Sequence, residues 1–341
     1  MSAAAGEPLP EPERPLGRSL ALLGLLLALL AGLSLFVGRY PSPPGLSPGL
    51  LAEDEVARAL VLDLRLPRLV AAIVLGGMLA AAGLTMQMIF RNPLVEPGLL
   101  GVSQGAAFGA ALGIVALGGS TLVVQSLAAL FALLGLAGSW VLARAFRFGG
   151  ATLRLVLAGI AVSALLSAGV GLLKLLADPL RQLPEITFWL LGGLFGIGWE
   201  QLLWLLPAAL PALVLLHLLA WRMNLLSLAD ETAFALGVAV RRERLALLVL
   251  AVVGVAAGVA VAGMVGWIGL ITPHLARRLL GADARRALPA ATLLGAIVTL
   301  LCDDLARTLA GAEIPLGILT SLVGAVVFAI VMVRSPLRAR A

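Results

Sequence analysis

The chain has 341 residues, of which 61% are hydrophobic and 12% charged, and its mean hydropathy is +1.08. A soluble domain of this size carries roughly a quarter charged residues, so the composition excludes a chain that folds in water. The net charge of +6 does not point to nucleic acid, because the basic residues flank apolar runs and form no stripe interleaved with aromatics.

No backbone group can go unpaired in hydrocarbon, which leaves helices or a closed barrel. The apolar runs are Leu/Ala/Gly stretches of about twenty residues, the length of a spanning helix. Barrel strands are shorter and alternate in polarity. The sequence predicts an all-α polytopic membrane protein.

Residues 1–18 read as a disordered tail, with Pro8, Pro10, Pro12 and Pro15 among Glu7, Glu11 and Glu13. The membrane domain covers 19–335, and a basic tail closes the chain at 336–341. The first span is Leu20–Val37; a signal peptide is the rival reading, disfavoured by the length of the run and by the lack of a small-residue cleavage site. Pro41, Pro43, Pro44 and Pro48 mark a loop. An amphipathic helix over Leu50–Leu64 leads to Arg-Leu-Pro-Arg at 65–68. Spans follow at Leu69–Phe90, Leu99–Leu117, Leu122–Ala143 and Leu153–Ala177. Residues 178–201 are too polar and broken for a span and predict a short surface or partly inserted helix. The sixth span is Leu202–Ala220.

At Trp221–Arg244 the chain turns charged and helix-forming for over twenty residues. Such a segment between two spans is expected to meet a soluble partner. Spans then resume at Leu245–Met264, Ile268–Leu280, Leu288–Leu309 and Ile314–Val333, making ten. Glycines at 263, 266 and 269 read first as close helix packing; the sharper alternative is that the helix breaks within 263–273 and lines a pathway, since irregular backbone in a membrane must face protein or water. Gly76, Gly77 and Gly83 predict close helix packing.

Ten spans put both termini on one side. Placing them inside assigns seventeen arginines to the cytoplasmic side. Six remain outside: Arg39, Arg58, Arg65, Arg68, Arg181 and Arg307. Short cytoplasmic loops are enriched in Arg and Lys, so the termini and the 221–244 stretch are predicted to be cytoplasmic.

An enzyme would need a nucleophile with its base, paired acids or metal ligands. Asp303–Asp304 is the adjacent acid pair within a predicted span, and Arg307 one turn on gives it an ordinary helical partner. His217 and His274 lie far apart and Cys302 is single, so no metal-ligand spacing appears. An ion-coupled carrier would bury ionisable residues at mid-membrane, where the spans here are almost bare. No Walker-type phosphate loop is present, so ATP is not bound by that route. Trp189, Trp199 and Trp204 fit an interfacial belt.

The motifs are more specific. The stretch RLPRLVAAIVLGGMLAAAGLTMQMIFRNPLVEPGLLGVSQGAAFGA (65–110) resembles the FecCD family of ABC-importer permeases. So do LAGI (157–160), FWLLGGL (188–194), MNLLSLADETAFALGV (223–238), GMVGWIGLITPHLARRLLGADARRALP (263–289), DDLAR (303–307) and EIPLGILTSLVGA (313–325). They occur in order over about residues 60–333. The resemblance implies a ten-helix permease of a type II importer in the inner membrane, working as a homodimer. Two ATPase subunits would bind below and carry the ATP and Mg, and this chain would bind no cofactor. A periplasmic binding protein would dock above. The cargo implied is a ferric siderophore first, haem next and cobalamin third.

By the same resemblance, Asn224–Gly237 is the coupling helix, with Asn224, Leu225, Leu228, Asp230, Glu231 and Gly237 as ATPase contacts. Arg65, Arg68 and Arg307 match arginines that pair with acids of the binding protein, which expects them to be exposed. Asn92, Leu94 and Thr152 match positions that line the cytoplasmic gate. Arg181 is a candidate contact for an anionic substrate. Ala229 replaces a usual Gly, Trp267 a usual Phe, Thr272 a usual Val and Val326 a frequent Pro; none removes a charge from these sites.

Overall fold

A computed structural model describes residues 16–42 and 45–333. The two predicted tails therefore lie almost wholly outside the described residues. Residues 16–18, assigned to the first tail, are already helical.

The polypeptide is a helical bundle. The helices are α1 (Leu16–Ser34), the short α2 (Leu50–Glu53) and α3 (Glu55–Ala59), α4 (Leu66–Phe90), α5 (Val102–Ala116), α6 (Thr121–Ala145) and α7 (Ala151–Leu176). They continue as α8 (Gln182–Leu191), α9 (Trp199–Leu218), α10 (Ala220–Leu226), α11 (Asp230–Ala235), α12 (Val240–Ala262), α13 (Ile268–Leu280), α14 (Ala284–Thr308) and α15 (Leu316–Val333). One short extended piece, β1 (Val37–Ser42), follows α1. The surface helix expected within 178–201 is α8.

Each of the ten predicted spans is a helix, but among the described residues eight are long and apolar enough to cross a membrane. The exceptions are α5, with 15 residues, and α13, with 13. At 1.5 Å per residue they reach only ~22 and ~20 Å, short of a hydrocarbon core of about 30 Å. Irregular backbone precedes both. Before α5 runs a loop with a single 3₁₀ turn, Pro97–Leu100. Before α13 runs the predicted break at 263–267. Val95, Pro97, Leu100, Val265 and Ile268 are all buried, as irregular backbone within a bundle requires.

The Arg-Leu-Pro-Arg motif does not interrupt the chain as expected. A π-helical turn over Leu60–Arg65 carries α3 directly into α4, so Glu55–Phe90 is one rod of 36 residues. Pro67 sits in the first turn of α4, where a missing N–H costs nothing.

α4 is the axis of the bundle; every residue from Val74 to Phe90 is buried. Its glycines explain how. A Cβ on Gly83 would lie 1.9 Å from the Gly269 carbonyl oxygen of α13, and one on Gly76 would lie 2.3 Å from the Gly295 carbonyl oxygen of α14. Backbone meets backbone at both places, the close approach that small residues permit between membrane helices. By contrast α7, α9 and α15 turn apolar residues such as Leu165, Leu175, Leu203 and Val333 outward. That surface is too apolar for water.

The proline within α13 is also accommodated. Pro273 has no N–H for the Gly269 carbonyl four residues back. Gln87 of α4 supplies one instead, its Nε2 donating to Gly269 at 3.3 Å, while its Oε1 accepts from Arg277.

Replacing Gly83 by Ala forces a methyl into backbone. The purified chain in detergent should lose about 1–3 kcal/mol of stability, read as a clear fall in thermal midpoint. Gly171→Ala on α7, where a Cβ meets nothing within 4 Å, should leave the midpoint unchanged.

Candidate functional site

The polar segment between α9 and α12 folds as α10, a turn and α11. Gly237, at φ +80°, then redirects the chain toward α12. From Leu228 to Gly237 every residue except Ala233 is exposed. Leu228, Leu236 and Phe234, the last 75% exposed, place apolar side chains on this face. Glu231 is exposed beside them. Asp230 accepts from Arg244 Nη2 and from Arg91 Nη2, each at 3.0 Å. Arg244 first and Arg91 second hold the Asp230 carboxyl below the usual carboxylate range. Arg91 is also the left-handed C-cap of α4, at φ +50°, and donates to the Leu228 carbonyl at 3.3 Å. The end of α4 is thereby tied to the exposed segment.

The sequence reading puts Asn224 and Leu225 on the same contact surface, and the structure instead turns them inward. Leu225 is half-buried and packs on the core. Asn224 Nδ2 donates to Asp283 Oδ1 at 2.7 Å, and its Oδ1 accepts from the Ala284 N–H at 2.8 Å. Asp283 is the N-cap of α14. The Arg285 guanidinium, with the Asn224 amide and the Arg285 N–H, holds its carboxyl far below the ordinary range. Asn224 is therefore a clip between α10 and α14.

Asn92 and Leu94 lie in the exposed turn after α4, where Asn92 Oδ1 accepts from the Leu94 N–H at 2.9 Å. Thr152, at the start of α7, lines a cavity of about 480 Å³ with Phe90 and Asp230. The three predicted gate residues are thus not brought into one lining; Thr152 faces this cavity, while Asn92 and Leu94 do not.

At the opposite end, predicted to face outward, Arg68 Nε donates to both Asp303 oxygens at 3.0 Å and Nη2 to Oδ1 at 2.7 Å. Arg68 also meets Glu313. Arg307 Nε lies 3.3 Å from Asp303 Oδ2, and Nη2 meets Asp304 and donates to Ser34 Oγ at 3.0 Å. Ser34 Oγ in turn donates to Asp304 at 2.6 Å. The Asp303 side chain is 1% exposed, and those of Arg68 and Arg307 are 12%. Arg65 is buried as well and donates to the Leu35 carbonyl at 2.8 Å. The expectation of exposed guanidiniums at 65, 68 and 307 is corrected: α1, α4 and α14 enclose them. Charge forces the arrangement, because a buried carboxylate pair needs cations at contact distance. The Asp303–Asp304 pair is consumed by these arginines.

Arg39, Arg65, Arg68, Arg307 and Glu313 line a cavity of about 300 Å³ at this end. Four arginines face the three carboxylates of Asp303, Asp304 and Glu313 in and around it. Arg181, before α8, is exposed, donates its backbone N–H to Asp178 at 2.8 Å, and does not line this cavity. Between the two ends, Glu96, Ser103, Gln104, Ser163 and residues 264–266 line a third cavity of about 310 Å³.

Sequence reasoning missed Phe234, Arg91 and Arg244. An apolar residue inside a polar stretch is the signal for Phe234. The pairing of Arg91 with Asp230 spans 139 positions and leaves no local pattern. Gln87 was equally invisible, although Pro273 in a predicted span asks which group satisfies the freed carbonyl.

Comparison with known proteins follows this geometry. A family model described as the FecCD transport family matches residues 25–334. The molybdate import system permease protein MolB of Haemophilus influenzae is 41% identical over 322 residues, covering 91% of this chain and 94% of that protein. The hemin transport system permease protein HmuU of Yersinia pestis is 46% identical over 271 residues, covering 77% of this chain and 80% of that protein. A solved structure described as an inward-facing conformation of an ABC transporter assigned to the metal-chelate type superposes with a TM-score of 0.87. It is 39% identical, covering 94% of this chain and all of that one. The chain belongs to the FecCD transport family.

Proposed function

We propose that this chain is the permease subunit of an ABC importer that moves an iron complex into the cytoplasm, with a ferric siderophore as first candidate and haem as second. Two copies would enclose one path, each crossing the membrane ten times, with α5 and α13 completed by their buried irregular segments. Two ATPase subunits would bind at the Leu228–Gly237 face and a substrate-binding protein at the opposite end. The chain itself is a non-catalytic transport subunit, as members of its family are.

The observation that carries this reading is the exposed 228–237 segment tied by Arg91 and Asp230 to the buried axis α4. A load applied to that face reaches a rod running the depth of the bundle. The excess of arginine at that end supports a cytoplasmic placement. The cavity behind 264–266, to which Glu96, Ser103, Gln104 and Ser163 contribute polar groups, supports a pathway there. Thr152, with Asn92 and Leu94 nearby in sequence to α4, would form the gate on the cytoplasmic side. Relatives named for hemin and for Fe(3+) dicitrate support an iron complex; one named for molybdate widens the panel to other metal-centred anions.

The outer arginines divide by role. Arg68 and Arg307 are occupied by internal carboxylates, so they shape the docking end. Among the described residues Arg65 meets no carboxylate in contact and lines the cavity with Arg39, leaving it to receive an acidic residue of the binding protein. Arg181 retains the part of an exposed contact for an anionic cargo.

Reconstituted with its ATPase and binding protein, the complex should hydrolyse ATP faster when a ferric siderophore or haem is loaded. No stimulation by any ferric siderophore, haem, cobalamin or molybdate would overturn the reading. Phe234→Ala should weaken ATPase-subunit binding at least about tenfold, as loss of an aromatic anchor does, without lowering the thermal midpoint; Asn224→Ala should do the reverse. Arg65→Gln, which removes the charge but keeps an N–H for the Leu35 carbonyl, should weaken binding-protein affinity with a smaller loss of stability than Arg68→Gln. Arg68→Gln leaves the buried Asp303 with Arg307 alone and removes the partner of Glu313, and should cost about 1–3 kcal/mol of stability, measured by chemical denaturation in detergent.

A further inference from the structure

The cavity of about 480 Å³ beside the coupling segment has, besides Thr152 and Asp230, a lining of arginines that the transport reading leaves without a role. Three helices bring arginines to it: Arg144 from the end of α6, Arg154 from the start of α7, and Arg241 and Arg244 from the start of α12. The one acid in the lining is Asp230, and it already accepts from both Arg244 and Arg91. Positive charge in this cavity is therefore in excess.

Two of its donors are also unsatisfied. Arg154 donates Nη1 to the Phe146 carbonyl at 3.0 Å, yet its Nε is buried and finds no partner among the described residues. Arg244 Nε is in the same condition. A buried guanidinium N–H without an acceptor carries its full desolvation cost. Arg144 stacks on Trp140, its Cζ 3.4 Å from the ring centroid. Stacking uses the face of the guanidinium and leaves the in-plane N–H groups for an anion. Charge, unmet donors and a fixed planar fork all call for an oxyanion with several acceptor oxygens, which is the chemistry of a phosphate.

The remaining wall is apolar. Phe90, Leu155, Leu245 and Leu248 face the same space, and Leu153 and Val141 beside it are exposed on the bundle surface. Basic pockets between spanning helices near the membrane surface hold acidic headgroups, and the apolar wall would take the glycerol end and first acyl carbons. A fully hydrated ion gains nothing from that wall.

We propose that this cavity is a binding site for a phosphate-bearing anion, filled in the membrane by the headgroup of an acidic phospholipid. The occupant satisfies Arg154 and Arg144 and shares Arg244 with Asp230, so it sits one contact away from the exposed 228–237 segment.

The test uses the full-length chain, stripped of lipid in a mild detergent and followed by native mass spectrometry. It is titrated separately with phosphatidylglycerol, phosphatidylcholine, diacylglycerol and inorganic phosphate. Phosphatidylglycerol should bind at least about tenfold more tightly than phosphatidylcholine or diacylglycerol, the worth of one charge-assisted contact. That preference should vanish in Arg154→Gln and in Arg144→Gln and survive in Arg181→Gln at the far end. Arg144 is exposed at its tip, so its variant carries the test should Arg154→Gln misfold. Inorganic phosphate bound through the same two arginines, with no preference among the lipids, would uphold the phosphate site and overturn its lipid occupant. Equal lipid binding and no phosphate binding, or a preference indifferent to both variants, would overturn the site.

Discussion

At Gly83 the backbone of α4 touches the carbonyl of Gly269, and at Gly76 it touches that of Gly295, leaving no room for a methyl group at either place. Those contacts let α4 stand at the centre of the bundle with α13 and α14 directly against it. Lipid tails are as apolar as leucine, so burial in hydrocarbon gives no drive for one helix to seek another. Close packing supplies it here. α4 reaches the outer end through Arg68, held by Asp303, and the inner end through Arg91, held by Asp230. One buried rod thus connects two polar surfaces.

The second constraint is that every backbone group in the bundle needs a partner. The chain nevertheless breaks at 263–267 and carries Pro273 within the next helix. Trp267, at φ +71°, bears a side chain in a conformation that favours glycine. The cost is tolerated because α4 sits beside the break and Gln87 supplies the donor that Pro273 removes. A cavity lined in part by Glu96, Ser103, Gln104 and Ser163 lies along the same broken stretch. Irregular backbone and a cavity coincide because each requires protein or water around it rather than lipid.

Apolar run length placed a helix at each of the ten predicted spans, eight of them long and apolar enough to cross a membrane, and glycine clustering flagged the close packing of α4 and, as its second reading, the break before α13. The arginine-rich 221–244 stretch was legible as an exposed segment because charge inside an oily chain is costly anywhere else. What could not be read was depth. Leucine counts do not reveal that α5 and α13 stop short of a full span, since buried irregular backbone has the same composition as a buried helix. Nor could the sequence separate Arg65, Arg68 and Arg307 from surface arginines; their burial depends on carboxylates that only the fold brings near. Asn224 is the same case. Its hydrogen bond to Asp283, 59 residues away, leaves no local pattern.

The claim on which these points converge is that α4 is the rigid axis of the bundle. Hydrogen–deuterium exchange on the purified full-length chain tests it most directly, since protection reports the free energy of local opening. Amides of Val74–Met88 should exchange last of all, at the rate of global unfolding, with those of outward-facing α7 opening earlier. Exchange across α4 as fast as across α7 would contradict the account.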